Sequence, residues 1–206
     1  MTDDLRSAVE RARRGDRQAF SKLVRHYQRR VYLTAYRMMG NHQDADDVAQ
    51  EAFVRAFKGL PRFDQRADIF TWLYRIVVNV ALNHLRQRQR RPTQSIEDYR
   101  LAPSLEQRAG GDPRRVLEFK RMAQEIAAAL DELSDTLRAT LVLVVFDGVS
   151  YRNAAEILEC SEGTVAWRIH EARRVLRRRL GHYLSGDEAM AEEGTAEEAK
   201  GAADVR

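Results

Sequence analysis

GVSYRNAAEILECSEGTVAWRIHEARRVLRRR, residues Gly148–Arg179, is the stretch whose reading decides the fold. Ala154, Ala155, Ile157 and Leu158 mark a short first helix, and Glu159-Cys160-Ser161 reads as a tight turn. Ser161 is suited to accept an orphan backbone N–H of the next helix through its hydroxyl, and Glu162 suits the positive helix end. Val165, Ile169, Ala172 and Leu176 follow at spacings of 4, 3 and 4 residues, which makes one buried stripe. The opposite face carries Ala166, Trp167, His170, Glu171 and Arg174, with Arg168 and Arg173 on its flanks. Two readings fit: an ordinary αα-hairpin in a bundle, or a helix-turn-helix whose second helix offers a polar face to the major groove. Arg173, Arg174, Arg177, Arg178 and Arg179 favour DNA, because they continue that helix as a dense cationic extension.

The charge balance points the same way. The 206-residue chain has a formal net charge of +4, but Gly186–Arg206 holds seven acids against Lys200 and Arg206, which leaves about +9 for the remainder. A basic body with an acidic tail suits a polyanionic partner, most simply nucleic acid, although a merely soluble basic protein has the same balance. The one cysteine, Cys160, excludes a disulfide framework and a cysteine zinc site. The N-terminal residues MTDDLRSAVERARR lack the apolar core of a secretory signal. The longest apolar run, Leu141–Phe146, is far too short for a bilayer, so no stable membrane insertion and a cytoplasmic location are expected.

The chain reads as all-α: two small helical domains joined by a flexible linker, the second containing the helix-turn-helix. Helical stripes run from Asp16 to Met39 (Phe20, Leu23, Val24, Tyr27, Val31, Ala35, Met38) and from Asp44 to Phe57 (Val48, Ala49, Ala52, Phe53, Ala56, Phe57). Gly40-Asn41 and Gly59-Leu60-Pro61 punctuate them. A third helix, about Ile69–Arg90, has Leu73, Ile76, Val77 and Val80 as core. These make a first domain over residues 1–91. Residues 92–111, with two prolines and paired glycines, read as the linker. Asp112-Pro113 reads as an N-cap and first helical residue. Helices over Arg114–Leu130 and Asp135–Phe146 then lead through Asp147-Gly148 into the helix-turn-helix, for a second domain over 112–185. Residues 186–206, rich in Ala, Glu and Gly, are expected to be a disordered acidic tail.

On the third helix Trp72, Ile76, Asn79, Asn83, Arg86 and Arg90 alternate spacings of 4 and 3 and share a face. Amides in line with arginines suit hydrogen bonds to bases and a grip on phosphates, though a solvated basic helix end has the same pattern. Asp44, Asp46, Asp47 and Glu51 lack the spacing and central glycine of an EF-hand, and no histidine pair completes a transition-metal set. An acidic patch that docks on a basic protein is the better reading, beside the ordinary preference of acids for a helix N-terminus. The five histidines are scattered, and no nucleophile stands beside a base. No catalytic residue, metal or cofactor is therefore expected.

Four segments carry a family likeness: GDRQAF (Gly15–Phe20), DADDVAQEAFVRAFKGLPRF (Asp44–Phe63), FTWLYRIVVNVALNHLRQRQRRP (Phe70–Pro92) and the helix-turn-helix stretch to Leu180. Their order resembles that of the extracytoplasmic-function (ECF) sigma factors of bacterial RNA polymerase, most closely the envelope-stress type. The resemblance implies a protein that binds core polymerase and directs promoter recognition, DNA opening and initiation at stress-response promoters. It gives Asp44, Asp47, Gln50, Glu51 and Phe53 a role in docking on the polymerase clamp. It places Phe63, Asp64, Asn79, Asn83, Arg86 and Arg90 at the melted minus-ten element. It places the helix-turn-helix, residues 150–174, at the minus-thirty-five element through Arg152, Thr164, Ala166, Trp167, Arg168, His170, Glu171, Arg173 and Arg174. An anti-sigma factor is an expected further partner. The chain departs from the family where Ala166-Trp167 stands for a basic residue with serine, and where Glu171 stands for a basic residue. From the helical wheel, Trp167 is expected at a thymine methyl and Glu171 at a cytosine amino group, with Arg173, Arg174 and Arg177 as phosphate clamps; the alternative is that Trp167 packs into the core and Glu171 pairs with a neighbouring arginine.

Overall fold

A computed structural model describes residues 3–64, 68–90 and 113–181, and every regular element among them is helical. The expected linker, the acidic tail and the Asp112 cap lie outside the described residues. The first unit opens with α1 (Asp3–Arg13), which buries Leu5, Ala8, Val9 and Ala12. Gly15, at φ 94°, turns the chain, and Asp16 caps α2 (Arg17–Met39) by accepting from the N–H groups of Gln18 and Ala19 at 2.9 and 3.0 Å. Those bonds, foremost the one from Ala19, and the adjacent Arg11 hold the Asp16 carboxyl below its ordinary value.

Gly40 closes α2 in the left-handed region, φ 79°, and Asn41 caps α3 (His42–Gly59) by accepting from the Asp44 N–H. A 3-10 turn, Leu60–Arg62, follows. Gly59 has a packing reason to lack a side chain: a Cβ there would stand 3.3 Å from the Trp72 ring. The third long helix, α4 (Ile69–Arg90), buries Leu73, Tyr74, Val77, Val78, Val80 and Ala81 against α2 and α3. The expected stripes are buried with exceptions. Phe20 and Phe53 are only half-buried, and Phe57 is exposed although its ring meets Phe20 edge-on at 4.9 Å.

The second unit comprises α5 (Pro113–Asp131), α6 (Asp135–Leu141), α7 (Tyr151–Leu158) and α8 (162–181). Ser134, Ser150 and Ser161 cap α6, α7 and α8, each hydroxyl accepting the N–H three residues on. The helix expected to run unbroken to Phe146 widens instead into a π-turn over Val142–Phe146, with Asp147 N–H donating to Val142 O at 3.0 Å. That turn delivers Asp147 to α2. Its carboxylate accepts from Thr34 Oγ1 at 2.6 Å and from Arg37 Nη1 at 2.7 Å. Arg138, buried, donates to the carbonyls of Leu130 and of Met38, at 3.0 Å for the latter. The two units therefore share one continuous core, with α4 packed on α6 and α7.

Candidate nucleic-acid interface

The second helix of the helix-turn-helix, α8, is fixed from inside by Val165, Ile169 and Ala172, all buried. At about 100° per residue, Trp167 and Arg174 fall diametrically opposite that stripe. Trp167 is 62 % exposed, the largest exposure of any large apolar residue described. Ala166, His170, Arg173, Arg174 and Arg177 are exposed with it. So is Arg152 on α7, which faces Glu156 at 3.8 Å. Thr164 and Arg168 serve the turn instead. The Thr164 hydroxyl bonds Ser161 Oγ at 2.9 Å, and Arg168 Nη1 approaches Cys160 Sγ at 3.8 Å. Glu159 holds the turn in the left-handed region at φ 52°, a conformation that costs a residue with a Cβ about 1–2 kcal/mol.

Glu171 adopts the arginine pairing that stood as the alternative to a base contact: each of its oxygens accepts from Arg174, at 2.9 Å from Nε and 2.7 Å from Nη2. Those bonds hold the Glu171 carboxyl below its ordinary value and raise Arg174.

On α4, the valines and Ala81 turn inward and leave Asn79 and Arg86 exposed and Asn83 half-exposed. Arg86 Nη1 lies 3.5 Å from Asn83 Oδ1, so the amide and guanidinium form one polar surface. The backbone of Arg90 ends this helix, but its side chain lies outside the described residues. Asp64 is exposed at the start of the loop. Phe63 departs from expectation. It is 4 % exposed, with its ring 5.0 Å from that of Trp72, so it anchors the loop from within and offers no face to a base. The family resemblance, not a local pattern, placed it at the minus-ten element; in the fold its ring is buried against Trp72.

The acidic helix α3 divides into free and engaged carboxylates. Asp46, Asp47 and Gln50 are exposed. Asp44 is tied to the Asn41 cap at 2.8 Å and faces Arg88 of α4 at 3.6 Å. Glu51 is a cross-link: His84 Nε2 of α4 stands 2.8 Å from one oxygen and Arg55 Nη2 2.5 Å from the other. The His84 bond, then Arg55, hold the Glu51 carboxyl below its ordinary value. Phe53 is half-buried against the core. His84 did not stand out in the sequence, since a pair 33 residues apart leaves no local spacing signal, whereas Glu51 and Arg55, four residues apart on α3, are an ordinary helical pair. Among the described residues no group of three or more His, Cys, Asp or Glu is placed to hold a metal, and no helix is long and apolar enough to cross a membrane.

Residues 23–91 match the family described as Sigma-70 region 2, and residues 123–176 match Sigma-70, region 4. The RNA polymerase sigma-H factor of Pseudomonas aeruginosa is 38 % identical over 180 residues, covering 84 % of this chain and 91 % of that protein. The chain belongs to the ECF sigma factors of bacterial RNA polymerase. The ECF RNA polymerase sigma-E factor of Escherichia coli is 36 % identical over 174 residues, covering 82 % of this chain and 90 % of its own length. The solved structure of CnrH, in complex with the cytosolic domain of CnrY, superposes with a TM-score of 0.64 at 26 % identity, over 87 % of this chain and 99 % of CnrH. As a sigma factor the protein binds core RNA polymerase and directs promoter recognition and transcription initiation. Units α1–α4 and α5–α8 contain its regions 2 and 4.

Proposed function

We propose that this sigma factor uses three exposed faces, one for each task of initiation. Asp47 and Gln50, with Asp46 beside them, dock on a basic surface of core polymerase. Asn79, Asn83 and Arg86 receive the opened minus-ten strand. The outward stripe of α8 enters the major groove of the minus-thirty-five element. The observation that carries this reading is Trp167, 62 % exposed on a helix whose other large apolar side chains are covered. Tryptophan is enriched in the cores of interfaces, so an indole standing out from a cationic helix suits a partner surface. The chain is read as a non-enzymatic initiation subunit acting in the cytoplasm, and residues 1–91 and 112–185 as the limits of its two units.

The two promoter elements lie 25 base pairs apart by position, so about 85 Å of B-form DNA separates their centres. Units bonded through Thr34, Arg37 and Asp147 are too close to occupy both at once. Promoter engagement therefore requires them to part. Burial is the main influence on the Asp147 carboxyl and raises it, which outweighs its bonds to Thr34 and Arg37, so the contact is held at a cost in ionised form. The likeness to CnrH, solved with the cytosolic domain of CnrY, and to a sigma factor RpoE solved with the anti-sigma factor NepR supports a protein partner of the anti-sigma kind. Run-off transcription by core polymerase, with and without this protein, on a template carrying both elements tests the reading. A transcript that depends on the protein is expected.

A further inference from the structure

The outward stripe of α8 carries a preformed pair. Glu171 grips Arg174 side-on, through Nε–H and one N–H of Nη2, at 2.9 and 2.7 Å. A guanidinium offers five N–H donors in a rigid plane. The side-on grip uses two and leaves the end-on edge, one N–H of Nη2 beside those of Nη1, free. That edge is a pair of parallel donors, the geometry that recognises O6 and N7 of guanine bidentately. The two side chains are exposed unequally: 62 % for Arg174 and 25 % for Glu171. The carboxylate lies in against the helix while the guanidinium stands out from it. Trp167 lies seven residues earlier on the same stripe, about 10 Å along the axis. An unpaired arginine loses its rotamer freedom only on binding, whereas a carboxylate that has already fixed the fork removes part of that loss.

We propose that Glu171 is a positioning residue and Arg174 a base reader, the pair presenting the end-on edge of Arg174 to a guanine of the minus-thirty-five element. This rests on the reading of α8 as the minus-thirty-five helix. It also accounts for an acid on a face that approaches phosphates: the carboxylate is neutralised by the arginine it orients. Arg177, exposed on the flank of the stripe and not gripped by a carboxylate among the described residues, is the contrasting phosphate contact.

The test is selection of a randomised minus-thirty-five library by reconstituted holoenzyme, the minus-ten element held constant, with thermal unfolding of each variant as a fold control. Wild type is compared with Arg174→Ala, Arg174→Lys, Glu171→Ala and Arg177→Ala. Expected is a guanine preference in wild type, lost on the order of tenfold in Arg174→Ala and weakened in Arg174→Lys, whose point charge has no planar fork for Glu171 to orient. Glu171→Ala relaxes the same position and no other, while Arg177→Ala weakens all sequences alike. An unchanged guanine preference in Glu171→Ala overturns the positioning role. Loss of a cytosine preference at a position that Arg174→Ala leaves alone would mean that Glu171 itself reads the base. Uniform weakening by Arg174→Ala would make it a phosphate clamp and overturn the proposal while leaving α8 on DNA. No enrichment by wild type overturns both the pair and the assignment of α8.

Discussion

Replacing Trp167 by alanine separates recognition from folding. A tryptophan side chain covers roughly 150–250 Å² when buried. With 62 % of the residue exposed, on the order of 130 Å² remains free for a partner, at the upper range of that scale. If DNA covers half of it, at about 25 cal/mol per Å² the contact contributes about 1.5 kcal/mol, roughly a tenfold change in affinity. The fold should not register the change, since surface substitutions away from caps and networks usually stay within about 0.5 kcal/mol. The assay is the affinity of Trp167→Ala holoenzyme for two templates, one with an intact minus-thirty-five sequence and one with it scrambled, beside thermal unfolding of the free protein. A roughly tenfold loss on the intact template, with no loss on the scrambled one and an unchanged Tm, is expected. Equal loss on both templates, or a Tm lowered by several degrees, would show that the indole serves the fold or polymerase contact instead.

Asp47→Lys should weaken assembly with core polymerase at moderate ionic strength, mainly through the association rate, with DNA affinity of the helix-turn-helix unchanged; unaltered core affinity in a stopped-flow titration would remove α3 from docking. Asn83→Ala should reduce open complexes on duplex promoters by the equivalent of about 1–3 kcal/mol, and by less on a pre-melted template, as read by permanganate reactivity. Glu159→Gly should raise stability by about 0.5–1 kcal/mol in urea denaturation, since relief of the left-handed strain exceeds the added chain entropy of glycine, while the exposed pairing with Arg75 at 3.9 Å contributes little. The Glu51 carboxyl is depressed in the fold, so its contribution is fully present above its ordinary value of 4.5 and is lost as pH falls through the lower folded value. Glu51→Gln should remove that part of the acid sensitivity in denaturation curves compared between pH 6 and pH 3, and an unchanged difference would deny the α3–α4 link.

Helical periodicity and caps made most of the fold legible. The third helix was expected at about Ile69–Arg90 and is found there, and Ser161 caps α8 as its position before Glu162 implied. Helix α1 has the same periodicity in Leu5, Ala8, Val9 and Ala12, but four small or medium side chains on an otherwise charged segment give a weak signal. The π-turn at Val142–Phe146 has no local signature, because a run of apolar residues reads equally as regular helix. The outward faces of α4 and α8 were legible for the same reason as their cores: one helical wheel assigns both. What the sequence withheld is pairing. Glu171 with Arg174 was a plausible neighbour pair with no sign of which way its donors point, while Glu51 with His84 and Asp147 with Arg37 depend on tertiary approach across 33 and 110 residues. Phe63, which the resemblance places at the minus-ten element, is covered by the Trp72 ring, a tertiary contact that the sequence pattern does not show.

The account's central claim is that this chain confers promoter recognition on core polymerase. The most direct measurement is run-off transcription with purified core polymerase and a template carrying both elements, scored against templates lacking either one. The account predicts a transcript that requires the protein and falls when either element is removed. Sequence-specific binding of the protein to the minus-thirty-five element with no association with core and no transcript would contradict it, and would make the chain a helix-turn-helix regulator that works without polymerase.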